Sequence, residues 1–413
     1  MTELRNVNVK ADDSPSIDAF ARWRVSNPVT IFDSKQIFDD GDIADSAEQY
    51  PLLYDNQETS GSGTSTAYDN DTASTTLSVG ATTAGMRVRQ TKMRFNYQPG
   101  KSQLVFLTFV MGSQDSGITK REGLFDGDNG LFLEDNGSNY GFVRRTYVTG
   151  SAVDNRVAQS SWNLDTMDGS GDSGITLDFT KTQILVIDFE WLGVGRVRMG
   201  FVVDGMIYYA HEFLNANSLA NVYMSTPNLP LRTEIVNDGT GVAADLIKIC
   251  SSVISEGGQE KNGALHSVNN ETTGITVGAT KEVILAIQLR STHLGLSVDL
   301  ETLNILQTAN AVALWELQYN PTLSAALSYS NVDNSGLQSA VGGGETVTTD
   351  GYVVASGYIA GTNQMTNIVS AELQNAIRLG SEIDGTVDQL VLVAVLIDGS
   401  PEVYASLQWR ELA

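Results

Sequence analysis

Residues 183–213, QILVIDFEWLGVGRVRMGFVVDGMIYYAHEF, carry the pattern that decides the fold. Residues 184–191 are rich in β-branched and aromatic side chains. A short glycine turn, Gly193-Val194-Gly195, follows, then a second such run over 196–203. Asp204-Gly205 is a two-residue hairpin signal, and 206–213 is a third run. Three strands in succession without a helix predict an antiparallel sheet. A slip of one residue would turn every side chain to the wrong face, so the pattern also predicts the pairing.

A three-residue first loop sets Leu192 opposite Arg196, Trp191 opposite Val197, Phe189 opposite Met199 and Ile187 opposite Phe201. The Asp-Gly turn then sets Val203 opposite Met206, Phe201 opposite Tyr208 and Met199 opposite Ala210. One face is wholly apolar and reads as core. The other collects Asp188, Glu190, Arg198, Tyr209 and His211, with Arg198 facing both Glu190 and His211. That polar face is the candidate functional surface, either as a polar network or as a ligand face.

The same texture extends outward. The chain has 413 residues, 39 of them glycine, 41% hydrophobic and 18% charged. Short apolar runs are punctuated by Gly, Ser, Thr, Asn and Asp. This predicts an all-β protein of more than one domain. Residues 1–35 read as an extended N-terminal arm in which Ile17, Phe20, Trp23 and Val25 have no evident strand partners. These four are candidate assembly contacts. Residues 36–258 read as a large concanavalin- or lectin-like antiparallel β-sandwich, 259–265 as a linker, and 266–413 as a smaller jelly-roll-like β-sandwich. Residues 371–379, AELQNAIRL, are the one modest helical candidate. Trp162, Trp191, Trp315 and Trp409 read as core anchors.

The formal net charge is −24, which argues against phosphate-driven nucleic-acid binding and against adhesion to anionic membranes. No apolar run is long enough to span a bilayer, and the N-terminus has no apolar signal core. The lone Cys250 rules out an internal disulfide framework and fits synthesis in a reducing cytoplasm. Residues 36–86 hold nine carboxylates and no Lys or Arg, while 87–101 hold five bases and no acid. Mutual neutralisation of these segments is the plain reading. A Ca²⁺ site in the acidic loop is the sharper one, though no EF-hand spacing occurs there.

Enzymatic patterns are weak. There is no nucleophile elbow or Walker loop, and His211, His266 and His293 are scattered. No cofactor or metal is expected. Asp188 and Glu190 alternate on one strand, about 6–7 Å apart by strand rise, so glycoside hydrolysis is a real alternative. The Glu-x-Asp-x-x-Glu spacing of β-sandwich glycosidases is not met, however. Tyr209 and His211 also suit stacking against a sugar ring.

Several segments carry a resemblance: residues 14–36 (SPSIDAFARWRVSNPVTIFDSKQ), 97–110, 159–169, 184–205, 225–235, 250–258 and the closing SLQWREL. They resemble segments of virion structural proteins of tailed bacteriophages, of the capsid-decoration or tail-component type. The resemblance implies a non-enzymatic, particle-bound protein that is exposed on the virion, forms a homo-oligomer, and contacts other virion proteins. A trimer is favoured by analogy. A tail-fibre or receptor-binding role, recognising host-surface glycan, is the alternative.

Overall fold

The strand Gln103–Val110 alternates strictly between buried and half-exposed residues. Val105, Leu107 and Phe109 point into a core, and Leu104, Phe106, Thr108 and Val110 point out of it. This period-two pattern recurs through the molecule and makes it a stack of antiparallel sheets. The structure, a computed structural model, describes residues 26–37, 53–308, 310–360, 364–368 (by backbone) and 379–412.

The first sandwich pairs two sheets. The eight-stranded sheet runs Met206–Phe213, Val197–Val203, Gln183–Phe189, Gln103–Val110, Ala244–Ser255, Ser74–Val79 and Thr64–Asp69, with Val29–Lys35 also paired to Ala244–Ser255. The seven-stranded sheet runs Val153–Ala158, Tyr140–Thr146, Gly130–Asp135, Ile118–Phe125, Leu231–Asn237, Gly85–Thr91 and Tyr54–Gly61. Their inner faces share one core that includes Phe109, Phe142, Trp162, Phe189 and Phe201. The second sandwich has a six-stranded sheet centred on Gln389–Asp398 and a five-stranded sheet built around Glu402–Leu412 and Ser297–Gln307. Its core holds Trp315 and Trp409.

Two boundaries differ from expectation. Residues 29–35, read as part of the arm, form a strand. Phe32 enters the core beside Tyr54 and Phe95, and Ser34 bonds Tyr54 and Ser251. The strand Ala264–Asn269 begins within the expected linker, because it pairs along Glu402–Leu412. Ile17, Phe20, Trp23, Val25 and residues 371–378 of the helical candidate lie outside the described residues.

The sandwiches touch through defined contacts. Lys92 Nζ lies 3.6 Å from Glu382 and 3.7 Å from Asp388. The amide of Ile383 donates to Asp55 at 2.8 Å, and Asn228 Nδ2 donates to the Gly295 carbonyl at 3.0 Å.

Candidate functional site

The hairpins of 183–213 form as expected, but their register differs in two places. Asp204 and Gly205 both adopt positive φ, 51° and 78°, and the pairs Val203–Met206 and Phe201–Tyr208 follow. The first loop spans residues 191–195, not 193–195: the Glu190 amide donates to the Arg196 carbonyl, and Gly195 donates to Trp191. The pairing is thereby shifted by two residues, setting Ile187 opposite Met199, Phe189 opposite Val197 and Asp188 opposite Arg198. Contacts from afar draw the loop open. Trp191 Nε1 donates to the Met224 carbonyl, Asn215 Nδ2 to that of Gly195, and the Tyr223 amide to that of Gly193.

A bulge between Met199 and Gly200 makes the second difference. The Ala210 carbonyl accepts from the amides of Leu164 and Asp165, which fixes the extra residue. Gly200 is required here, since a Cβ would lie 2.0 Å from the Tyr208 carbonyl oxygen. The bulge turns His211 to the core side, opposite Met199 and edge-on to Phe213, and brings Glu212 opposite Arg198.

Three of the five expected residues therefore meet. Arg198 bonds Asp188, the Tyr209 hydroxyl donates to the same carboxylate at 2.8 Å, and the guanidinium lies 4.2 Å from the Tyr209 ring centroid. Burial, then the bond to Asp188, raises the Tyr209 phenol well above its ordinary value. Glu190 does not pair with Arg198. It is exposed, and its carboxylate accepts the Arg196 amide at 3.3 Å. His211 does not join the network either. Its Nδ1 accepts the Asn163 amide, and burial pushes the imidazole down to about 4.

The denser polar array, which the sequence reading missed, lies on the outer face of the seven-stranded sheet. Strand pairing places Glu134, Arg121 and Glu234 in one row. Arg121 bonds both carboxylates, Arg156 Nε reaches Glu134 at 2.7 Å, and Arg232 Nη2 reaches Glu234 at 2.7 Å. Burial pushes the Glu234 carboxyl up, but Arg232 and Arg121 outweigh it and hold it below its ordinary value. Beneath the guanidinium groups lie Phe125 and Phe132, rings 4.4 Å apart and fully buried although they leave the sheet on its outer side. The signal was present as charged residues inside the strand-like segments ITKREGLF, GLFLED and LRTEIVN.

Of the bases in 87–101, Lys92 reaches Glu382 and Asp388, and Arg94 reaches Asp126. Arg87 lies in the field of Glu58 and Asp55. Asp39, Asp40, Asp42, Asp45 and Glu48 lie outside the described residues. A cleft of about 510 Å³ separates the sandwiches, lined by Arg94, Asp126, Asp128, Asn228, His293 and Leu296 among others. Among the described residues no helix is long and apolar enough to cross a membrane.

The chain matches no family model and no curated protein. It is similar to several solved all-β structures. A β-glucanase of Bacillus licheniformis aligns with 56% of this chain and 99% of its own, at 10% identity and TM-score 0.35. A β-1,3-glucanase of Mycobacterium marinum covers 55% and 98%, at 12% identity and TM-score 0.36. The CBM2 module of an evolved Dit protein of Lactobacillus casei BL23 phage J-1 covers 57% and 100%, at 8% identity and TM-score 0.36. The neighbours thus have glycoside-hydrolase and carbohydrate-binding folds, at low identity.

Proposed function

We propose that this chain is a non-enzymatic structural protein of a tailed-bacteriophage particle, displayed on the head surface and attached through its N-terminal segment. One observation carries the non-enzymatic part: three carboxylates ordered on the outer sheet faces are engaged by cations. Glu134 lies between Arg121 and Arg156, Glu234 between Arg121 and Arg232, and Asp188 against Arg198. Glycoside hydrolysis needs one carboxyl held protonated and a second free to attack or to activate water. Glu234 is held in the opposite sense. The particle role is supported by the resemblance of segments such as residues 184–205 and 225–235, and by an acidic composition that keeps subunits soluble before assembly. A cyclic homo-oligomer, with a trimer favoured, belongs to the same reading.

The test is quantitative mass spectrometry of purified particles. Tens to hundreds of copies per particle support a head-surface location, and absence from particles overturns the reading. About a dozen copies would instead favour the second reading, a tail component that recognises host glycan. The Tyr209–Arg198 surface and the polar cleft between the sandwiches favour that alternative.

A further inference from the structure

We infer that the cleft between the two sandwiches binds a neutral oligosaccharide, held by Arg94 and Asp128 of the first sandwich and by His293 of the second. The inference rests on the glycan part of the second reading above, and not on where the chain sits in a particle.

The walls of the cleft are fixed by their own hydrogen bonds. Its volume of about 510 Å³ lies in the range of small-ligand sites, which favour domain boundaries. The Asp126 carboxylate accepts the amides of Asp128 and Asn129, each at 2.8 Å, and so sets the turn that forms one wall. Asn129 is almost fully buried. It accepts the Ser225 amide at 2.9 Å and donates to the Ser225 hydroxyl at 2.9 Å, which locks the loop 225–228 to that turn. Residues 291–296 of the second sandwich form the facing wall, and two bonds tie it across. Asn228 Nδ2 donates to the Gly295 carbonyl at 3.0 Å, and the Ser297 hydroxyl donates to the Arg94 carbonyl at 3.3 Å. A site held this way loses little conformational freedom when it binds.

The groups these bonds leave over are a mixture of donors and acceptors. Arg94 donates to Asp126 at 2.5 Å, and the other donors of its guanidinium have no partner among the described residues. The Asp128 carboxylate is exposed and accepts no bond from a described residue, and burial followed by the Asp126 charge pushes its carboxyl up. Thr226 Oγ1 accepts the Asn228 amide at 3.2 Å and keeps its own proton to give. His293 Nδ1 bonds the Thr292 hydroxyl at 2.9 Å, and its Nε2 is left over. Leu294 and Leu296, both half-buried, add apolar surface beside these groups.

A sugar hydroxyl both donates and accepts, and a sugar ring also carries an apolar C–H face. A chain of sugars therefore satisfies the whole set, where a simple ion satisfies only half of it. A Ca²⁺ ion needs roughly six to eight oxygens. The Asp126 carboxylate is already taken by Arg94 and two amides, so Asp128 would stand alone as a charged ligand. Charge also selects against acidic sugars. Asp126 and Asp128 outnumber Arg94 in the lining, and the chain as a whole carries −24.

The test is a glycan array carrying neutral, uronate-bearing and sialylated oligosaccharides, probed with the full chain. Calorimetric titration with the neutral oligosaccharide of strongest signal follows. The wild type should bind neutral oligosaccharides and not acidic ones. Asp128→Ala and His293→Ala, both at exposed positions, should each raise Kd about tenfold or more with the melting temperature unchanged. If one of them lowers the melting temperature, the other decides. Tyr209→Ala, on the outer face of the eight-stranded sheet, should bind as the wild type does. No binding to any neutral oligosaccharide, or binding to acidic ones alone, overturns the inference. Binding that survives both cleft variants, or that is lost in Tyr209→Ala, places the sugar elsewhere and overturns it too. None of these results changes the copy number in particles, so the particle reading stands or falls separately.

Discussion

The two outer faces of the first sandwich solve the same problem in opposite ways. On the seven-stranded sheet, Phe125, Phe132 and Val143 leave the core side yet are fully buried, because Arg121, Arg145 and Arg232 lie over the rings and are themselves held by carboxylates or neighbouring carbonyls. On the eight-stranded sheet, Leu104, Phe106 and Ile254 stay half-exposed, and the ion pair Asp188–Arg198 sits to one side. The first face is closed by its own side chains. The second leaves Leu104, Phe106 and Ile254 partly exposed around the buried Val186. A face already locked by guanidinium–carboxylate pairs has little freedom for catalysis.

The contrast is testable by substitution. Glu234→Gln should have the largest effect, because it leaves Arg121 and Arg232 under-compensated at a buried site. A loss of about 3–5 kcal/mol is expected in urea unfolding. Phe132→Ala, on the same face, should lose about 3 kcal/mol through the cavity left against Phe125. Asp188→Asn on the open face should lose only about 1 kcal/mol. Arg198 is one-third exposed there, and the amide still accepts the Tyr209 hydroxyl.

A further expected effect concerns pH. The His211 imidazole is held at about 4 when folded, and an unfolded histidine titrates near 6.5. Between those values the unfolded chain binds the proton that the folded chain refuses. Stability should therefore fall as pH drops from about 6.5 to about 4. His211→Asn keeps an acceptor for the Asn163 amide and should flatten that part of a melting-temperature profile against pH. An unchanged slope would contradict the buried, neutral assignment.

What the sequence made legible was local. The Asp204-Gly205 hairpin and the burial of Trp162, Trp315 and Trp409 follow from side chains within a few residues of each other. The loop at 191–195 and the bulge at Ala210 were not legible. Each is set by partners distant in sequence: Asn215, Tyr223 and Met224 for the loop, Leu164 and Asp165 for the bulge. Those two irregularities are why Asp188, and not Glu190, holds Arg198, and why His211 faces the core. The guanidinium network failed to emerge for the same reason. Arg121 and Glu234 lie 113 residues apart, and only the sheet order makes them neighbours.

The most direct test of the difference between the faces is a pair of double-mutant cycles, Arg121/Glu234 against Arg198/Asp188, read by urea unfolding. The account predicts a coupling for Arg121/Glu234 that exceeds the other by at least about 1 kcal/mol. Equal couplings, or a larger one for Arg198/Asp188, would contradict it. The seven-stranded face would then not be the locked one, and its carboxylates would again be candidates for chemistry.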